Sequence, residues 1–144
     1  MATENFEAKI KTYQFTAIFS IIFALVGFSY NTWRLEVSED NSNIRTASFQ
    51  VLSALSELEQ LIYIGHYDMN TSEGNPRIGW IKIGLINDLS ALIDDDTQHQ
   101  AEQLRQLWAD KWHSFNDSRS DTDQLVAAID AVRAAIKVRL GQLQ

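Results

Sequence analysis

YQFTAIFSIIFALVGFSYNTW, residues Tyr13 to Trp33, contains no charged side chain. As a helix rising about 1.5 Å per residue, it spans roughly 30 Å, the thickness of a bilayer's hydrocarbon core. Tyr13 and Phe15 stand at one end, Tyr30 and Trp33 at the other. Aromatic rings at both ends suit the two headgroup layers. The stretch predicts one transmembrane helix near the N-terminus, a signal-anchor, with the lipid bilayer as its first partner.

Ala17, Ser20, Ala24 and Gly27 follow one another in steps of three, four and three, so they share one helix face. Ile18, Ile22, Leu25 and Phe28 occupy the others. Lipid supplies no hydrophobic drive between helices, and close approach along small residues is the usual packing device. The face is a candidate contact with another membrane protein or a second copy. The competing use of such a face is simple lipid contact.

A cleaved signal peptide is the other reading of this region. Lys9 and Lys11 would form its charged part and Phe15 to Val26 its apolar part, with Gly27 and Ser29 as a small-x-small site. It would leave a secreted helical protein. Phe28 to Tyr30 and Trp33 lengthen the stretch to a full span and favour the uncleaved anchor.

Length and charge bound the rest. The chain has 144 residues and a formal charge of -7. From Arg34 onward there are ten Lys/Arg against seventeen Asp/Glu, which accounts for the whole surplus. Such a surface repels phosphate backbones, so no nucleic-acid partner is expected. There are no cysteines, which excludes disulfides, thiol chemistry and Cys-based metal sites. Lys9 and Lys11 precede the span and Arg34 follows it. The cation count leans toward a cytoplasmic N-terminus and an extracytoplasmic domain at the plasma (inner) membrane.

The organisation expected is a polar tail at 1–12, the span at 13–33, a helical stalk at 34–43 and a helical domain at 44–144. Neither Gly nor Pro interrupts the run between Gly27 and Gly65, so one helix from about residue 12 to 64 is allowed. Ile44, Ser48, Val51, Leu55, Leu58 and Ile62 form its core-facing stripe. Gly65 to Asn75 reads as a loop, with Asn75–Pro76 as an N-cap and first-turn pair. The second helix runs from about Pro76 to Ile93, with Ile78, Ile81 or Lys82, Leu85, Leu89 and Leu92 as its inner stripe. Gly79 and Gly84 each cost it about 1 kcal/mol relative to Ala.

Asp96 or Thr97 is the expected cap of a third helix, about Gln98 to Phe115, with Ala101, Leu104, Trp108, Trp112 and Phe115 inward. Ser120 with Asp123 suggests the start of a fourth, about Asp121 to Leu140, carrying Leu125, Ile129, Val132, Ile136 and Leu140 on its core side. The expected fold class is therefore all-α: a transmembrane helix continuing into an antiparallel up-down-up-down four-helix bundle. That topology would turn Arg133, Lys137 and Arg139 toward lipid headgroups. Their match to the negative pole of the helix dipole is the plainer explanation.

Little in the chain points to chemistry. His99 and His113 lie about 21 Å apart on one helix and cannot share a metal. His66, Tyr67 and Asp68 form a candidate ligand or partner surface, against a polar capping loop. Trp80, in the Gly-flanked segment before Gly84, is a candidate docking residue or a rim tryptophan. Trp108 and Trp112, one turn apart, fit core packing better than a pocket. Asp94 to Asp96 lack the spacing and glycine of a calcium loop. No nucleophile–base pair, phosphate loop or zinc motif occurs, so no catalytic residue, metal or cofactor is assigned.

The coarse plan is similar to that of bacterial sensory receptor domains, by architecture alone. One span and no output domain argue against a self-contained receptor. The function expected is a single-pass interaction or accessory subunit of a membrane complex, with no catalytic activity. The alternative is an extracytoplasmic small-molecule sensor, and last a membrane-tethered enzyme.

Overall fold

A computed structural model describes residues 2–68 and 73–143, with side chains from residue 10 onward. These residues form four α-helices and no strand: α1 (Ala2–Tyr67), α2 (Pro76–Ser90), α3 (Asp95–Lys111) and α4 (Arg119–Gln142). The all-α class follows the sequence pattern. The chain divides into two compact units, Met1–Asp40 and Asn41–Gln144, and α1 belongs to both.

The first unit is helical from Ala2, so residues 2–12 of the expected polar tail have helical backbone. No Gly or Pro stands ahead of Gly27 to stop the helix. Along the apolar stretch Phe15, Ile18, Phe19, Ile22, Phe23, Leu25 and Phe28 are all exposed. This is one helix long and apolar enough to cross a membrane, and none of its most apolar window is buried against protein. Three of its hydroxyls are satisfied within the helix. Thr16 donates to the Thr12 carbonyl at 2.9 Å and Ser20 to that of Thr16 at 2.8 Å, while Thr32 donates to Phe28 at 3.0 Å. A hydroxyl bonded to the preceding turn needs no water partner, as hydrocarbon surroundings require.

The second unit is a four-helix bundle. Its core takes Val51, Leu55, Leu58 and Ile62 from α1, Ile83 and Ile86 from α2, and Leu104 and Trp108 from α3. Leu125, Ile129, Val132 and Ile136 of α4 and Phe115 of the α3–α4 turn complete it. Each set recurs at three- and four-residue steps, the stripe that one helix presents to its neighbours. Burying each large side chain contributes roughly 1.5–3 kcal/mol.

Contacts fix the directions. The end of α1 at Gly65 lies against Phe115 and Asn116, before α4 begins, and near Gly74, before α2 begins. At the opposite end Arg139, late in α4, reaches Asp94, just before α3. α3 packs on both α2 and α4. Lys82 of α2 pairs with Glu57 of α1, and Arg133 Nη2 of α4 lies 2.8 Å from Glu59 Oε2 of α1. Successive helices therefore run up and down.

The helix boundaries shift by a few residues, each for a local reason. α1 passes through Gly65 to Tyr67 instead of stopping near residue 64. Gly65 is needed there as a small residue: a Cβ would meet the Asn116 side chain and stand 2.9 Å from the Phe115 ring. The expected loop from Gly65 to Asn75 begins after Tyr67, and residues 69–72 lie outside the described residues. Asn75 caps α2 as expected, accepting from the Arg77 N–H. Asp94, not Asp96 or Thr97, caps α3, its Oδ1 accepting from the Thr97 N–H at 2.8 Å. Ser118, not Ser120, caps α4 by accepting from the Asp121 N–H at 3.2 Å. The third helix gives way after Lys111, so Trp112 is 38% exposed rather than inward, while Phe115 reaches the core from a turn.

The larger correction concerns α2. Its buried residues are Gly79, Ile83, Ile86 and Ser90, continued by Ile93. Ile78, Ile81, Leu85 and Leu92, expected inward, are exposed, and Leu89 is only partly buried. α2 carries two apolar stripes of similar length. The face with the small residue Gly79 turns inward because the Trp108 ring occupies the space there.

Candidate functional site

Three surfaces stand out among the described residues. The first is the small-residue face of the span. Ala17, Ser20, Ala24 and Gly27 are all exposed, and a Cβ added at Gly27 would meet nothing within 4 Å. The helix thus presents a smooth strip between bulkier sides, the surface a second helix can approach closely.

The second is the corner around His66. The ring Nδ1 lies 3.0 Å from the Phe115 carbonyl oxygen and 2.9 Å from that of Asn116. Both partners only accept, so Nδ1 carries a proton and donates. Thr122 Oγ1 donates to the same Phe115 carbonyl at 2.9 Å. His66 therefore secures the α3–α4 turn to the end of α1, and it does so from the last turn of that helix rather than from a capping loop. Tyr67 stands edge-on to the His66 ring, and Tyr67 and Asp68 are exposed. Trp80 is not brought to this group; it packs half-buried against the core.

Beside this corner, Ser56, Glu59, Gln60, Tyr63, Ile64, Tyr67 and Asp68 line a shallow depression of about 350 Å³. The Tyr63 and Tyr67 rings are 5.9 Å apart. Burial pushes the Tyr63 phenol above its ordinary value, and the nearby Glu59 carboxylate adds to the effect. Glu59 is held by Arg133, whose guanidinium is also paired with Asp130. The Glu59 hydrogen bond raises the Arg133 pKa despite partial burial. Sequence reading missed Glu59 because its partner, Arg133, stands on a distant helix.

Of the three cations expected to face headgroups, Arg133 and Arg139 make intramolecular ion pairs with Glu59 and Asp94, and Lys137 is exposed. Among the described residues no group of three His, Asp or Glu side chains is placed to hold a metal ion.

The third surface is the outer stripe of α2: Ile78, Ile81, Leu85 and Leu92, with Ile81 at 74% exposure. Large aliphatic side chains in a row at helical spacing are the signature of a contact face. The sequence shows this stripe by its helical period, which reads there as the core-facing side. Comparison with protein-family models, curated proteins and solved structures returned no match.

Proposed function

We propose that the chain is a single-pass membrane protein whose span and helical bundle serve as an interaction or accessory subunit, without catalysis of its own. The observation that carries this reading is the apolar part of α1, exposed on every side, with the Thr16, Ser20 and Thr32 hydroxyls bonded back to their own helix. An apolar helix of this kind is stable in lipid and unstable in water. The small-residue face supplies a route to a partner span. The slight cation bias favours an N-terminus in the cytoplasm and a bundle outside the plasma (inner) membrane.

The test is purification of the full-length protein from its native membrane in gentle detergent, with the mass and composition of the eluted particle determined. A stoichiometric second membrane protein, lost on replacing Ala24 and Gly27 by Leu, is the expected result. A complex that survives both substitutions removes the span face from the interaction. Recovery of the chain from the soluble fraction overturns the anchor.

A second reading, a small-molecule binding module, is favoured by the depression beside Tyr63 and Tyr67, whose volume falls within the usual range for ligand sites. It predicts a ligand-dependent rise in melting temperature that Tyr63→Ala abolishes. No shift across a broad metabolite screen would remove it.

A further inference from the structure

We propose that the depression beside Tyr63 and Tyr67 takes a small quaternary ammonium cation, held on the two rings between flanking carboxylates. This names a ligand class for the small-molecule reading above, and it rests on that reading.

Charge sets the sign of the ligand. Glu59 and Asp68 line the depression, and no Lys, Arg or His does. Along α1 Glu59 precedes the two tyrosines and Asp68 follows them, so a carboxylate stands at each end of the pair. Arg133 pairs with Glu59, but it is shared with Asp130, and the cluster keeps a negative charge in surplus. Both of those carboxylates act on the Tyr63 phenol, so the surplus is felt at the ring. Asp68 is exposed and adds a further negative charge at the other end. An anion is repelled here. A cation is attracted, and the net charge of -7 draws it in from a distance.

The rings set the kind of cation. Tyr63 and Tyr67 are one turn apart, with centroids 5.9 Å apart and planes tilted by 43°. Neither belongs to the core, and they are 39% and 58% exposed. The Tyr67 ring stands edge-on to His66 at 4.7 Å, and His66 is anchored on the Phe115 and Asn116 carbonyls. Tyr67 is thus positioned before a ligand arrives, which lowers the ordering cost of binding. A cation within about 6 Å of such a ring is attracted by its negative face. A primary ammonium is strongly hydrated and gives up water reluctantly. A methylated one spreads its charge over methyl groups, which rest on the rings and on Ile64 beside them. The volume of about 350 Å³ is at the small end for ligand sites and suits a compact head group.

The test uses choline and its neutral isostere, 3,3-dimethyl-1-butanol, with the full-length protein in dodecyl maltoside micelles at constant ionic strength. Saturation transfer from protein to the ligand's methyl protons is followed by NMR as each is titrated. Choline should bind, and the isostere should bind at least about 5-fold more weakly, because it has the shape without the charge. Tyr67→Ala should weaken choline binding about 2- to 5-fold, while Tyr67→Phe, which keeps the ring, should stay within about 2-fold of the parent. Asp68→Asn should also weaken it, and Phe49→Ala, exposed elsewhere on α1, should leave it unchanged. No choline binding, equal binding of the isostere, or parent-like binding by Tyr67→Ala or Asp68→Asn would each overturn the proposal. A failure of choline is then read against the metabolite screen. If another compound raises the melting temperature and Tyr63→Ala abolishes the rise, the cation class falls and the ligand site stands. If no compound does so, both fall.

Discussion

The backbone of Gly79 in α2 lies directly under the indole of Trp108 in α3: a Cβ at residue 79 would overlap the ring. Helix propensity alone favours Ala over Gly by about 1 kcal/mol. Overpacking a filled core costs about 1–3 kcal/mol. Gly79→Ala should therefore lower stability in a chemical unfolding experiment. In the Trp108→Phe background the same change should cost less, because the two residues share one contact. A stabilised Gly79→Ala protein would show that the ring does not occupy that space.

The two faces of α2 make opposite predictions for neighbouring residues. Ile83 is buried and Ile81 exposed. Ile83→Ala should cost about 2–5 kcal/mol of unfolding free energy. Ile81→Ala should stay within about 0.5 kcal/mol in the monomeric protein. Equal costs would reverse the assignment of the inner face.

His66 holds the turn between α3 and α4 through its donated Nδ1 proton. His66→Ala leaves those carbonyls without that donor, a loss of about 1–3 kcal/mol. Amide exchange at Asp117 and Ser118, whose N–H groups bond within that turn, should quicken more than exchange in mid-α4. Uniform quickening along the bundle would mean that His66 contributes only to global stability.

Lys111 donates to Asp121 Oδ1 at 2.6 Å and Ser114 to Oδ2 at 2.7 Å. The Lys111 hydrogen bond first, then that from Ser114, holds the Asp121 carboxyl below its ordinary value of 3.8. A depressed folded-state pKa contributes stability that is complete above the unfolded-state value and is lost as pH falls through the folded one. The gap in melting temperature between parent and Asp121→Asn should be steady near neutrality and close below about pH 4. A gap that widens with acid would contradict the ion pair.

Much of the fold was legible because helices announce themselves locally. The uncharged stretch from Tyr13 to Trp33, the Asn75–Pro76 start and the stripes of α1 and α4 each depend on residues within a few turns of one another. Caps were harder to place. Ser118 and Ser120 are equally good candidates on paper, and the choice rests on which N–H the turn presents.

The sequence by itself determined the all-α class, the apolar N-terminal helix and the acidic character of the bundle, because composition and periodicity act at short range. Tertiary structure decided which stripe of α2 faces the core, since Ile78–Leu85 and Gly79–Ile86 are both apolar and only the bulk of Trp108 separates them. It also decided that His66 is a structural donor and that Glu59 meets Arg133. Those pairs join residues far apart in the chain, and local spacing carries no record of which distant group a side chain will meet.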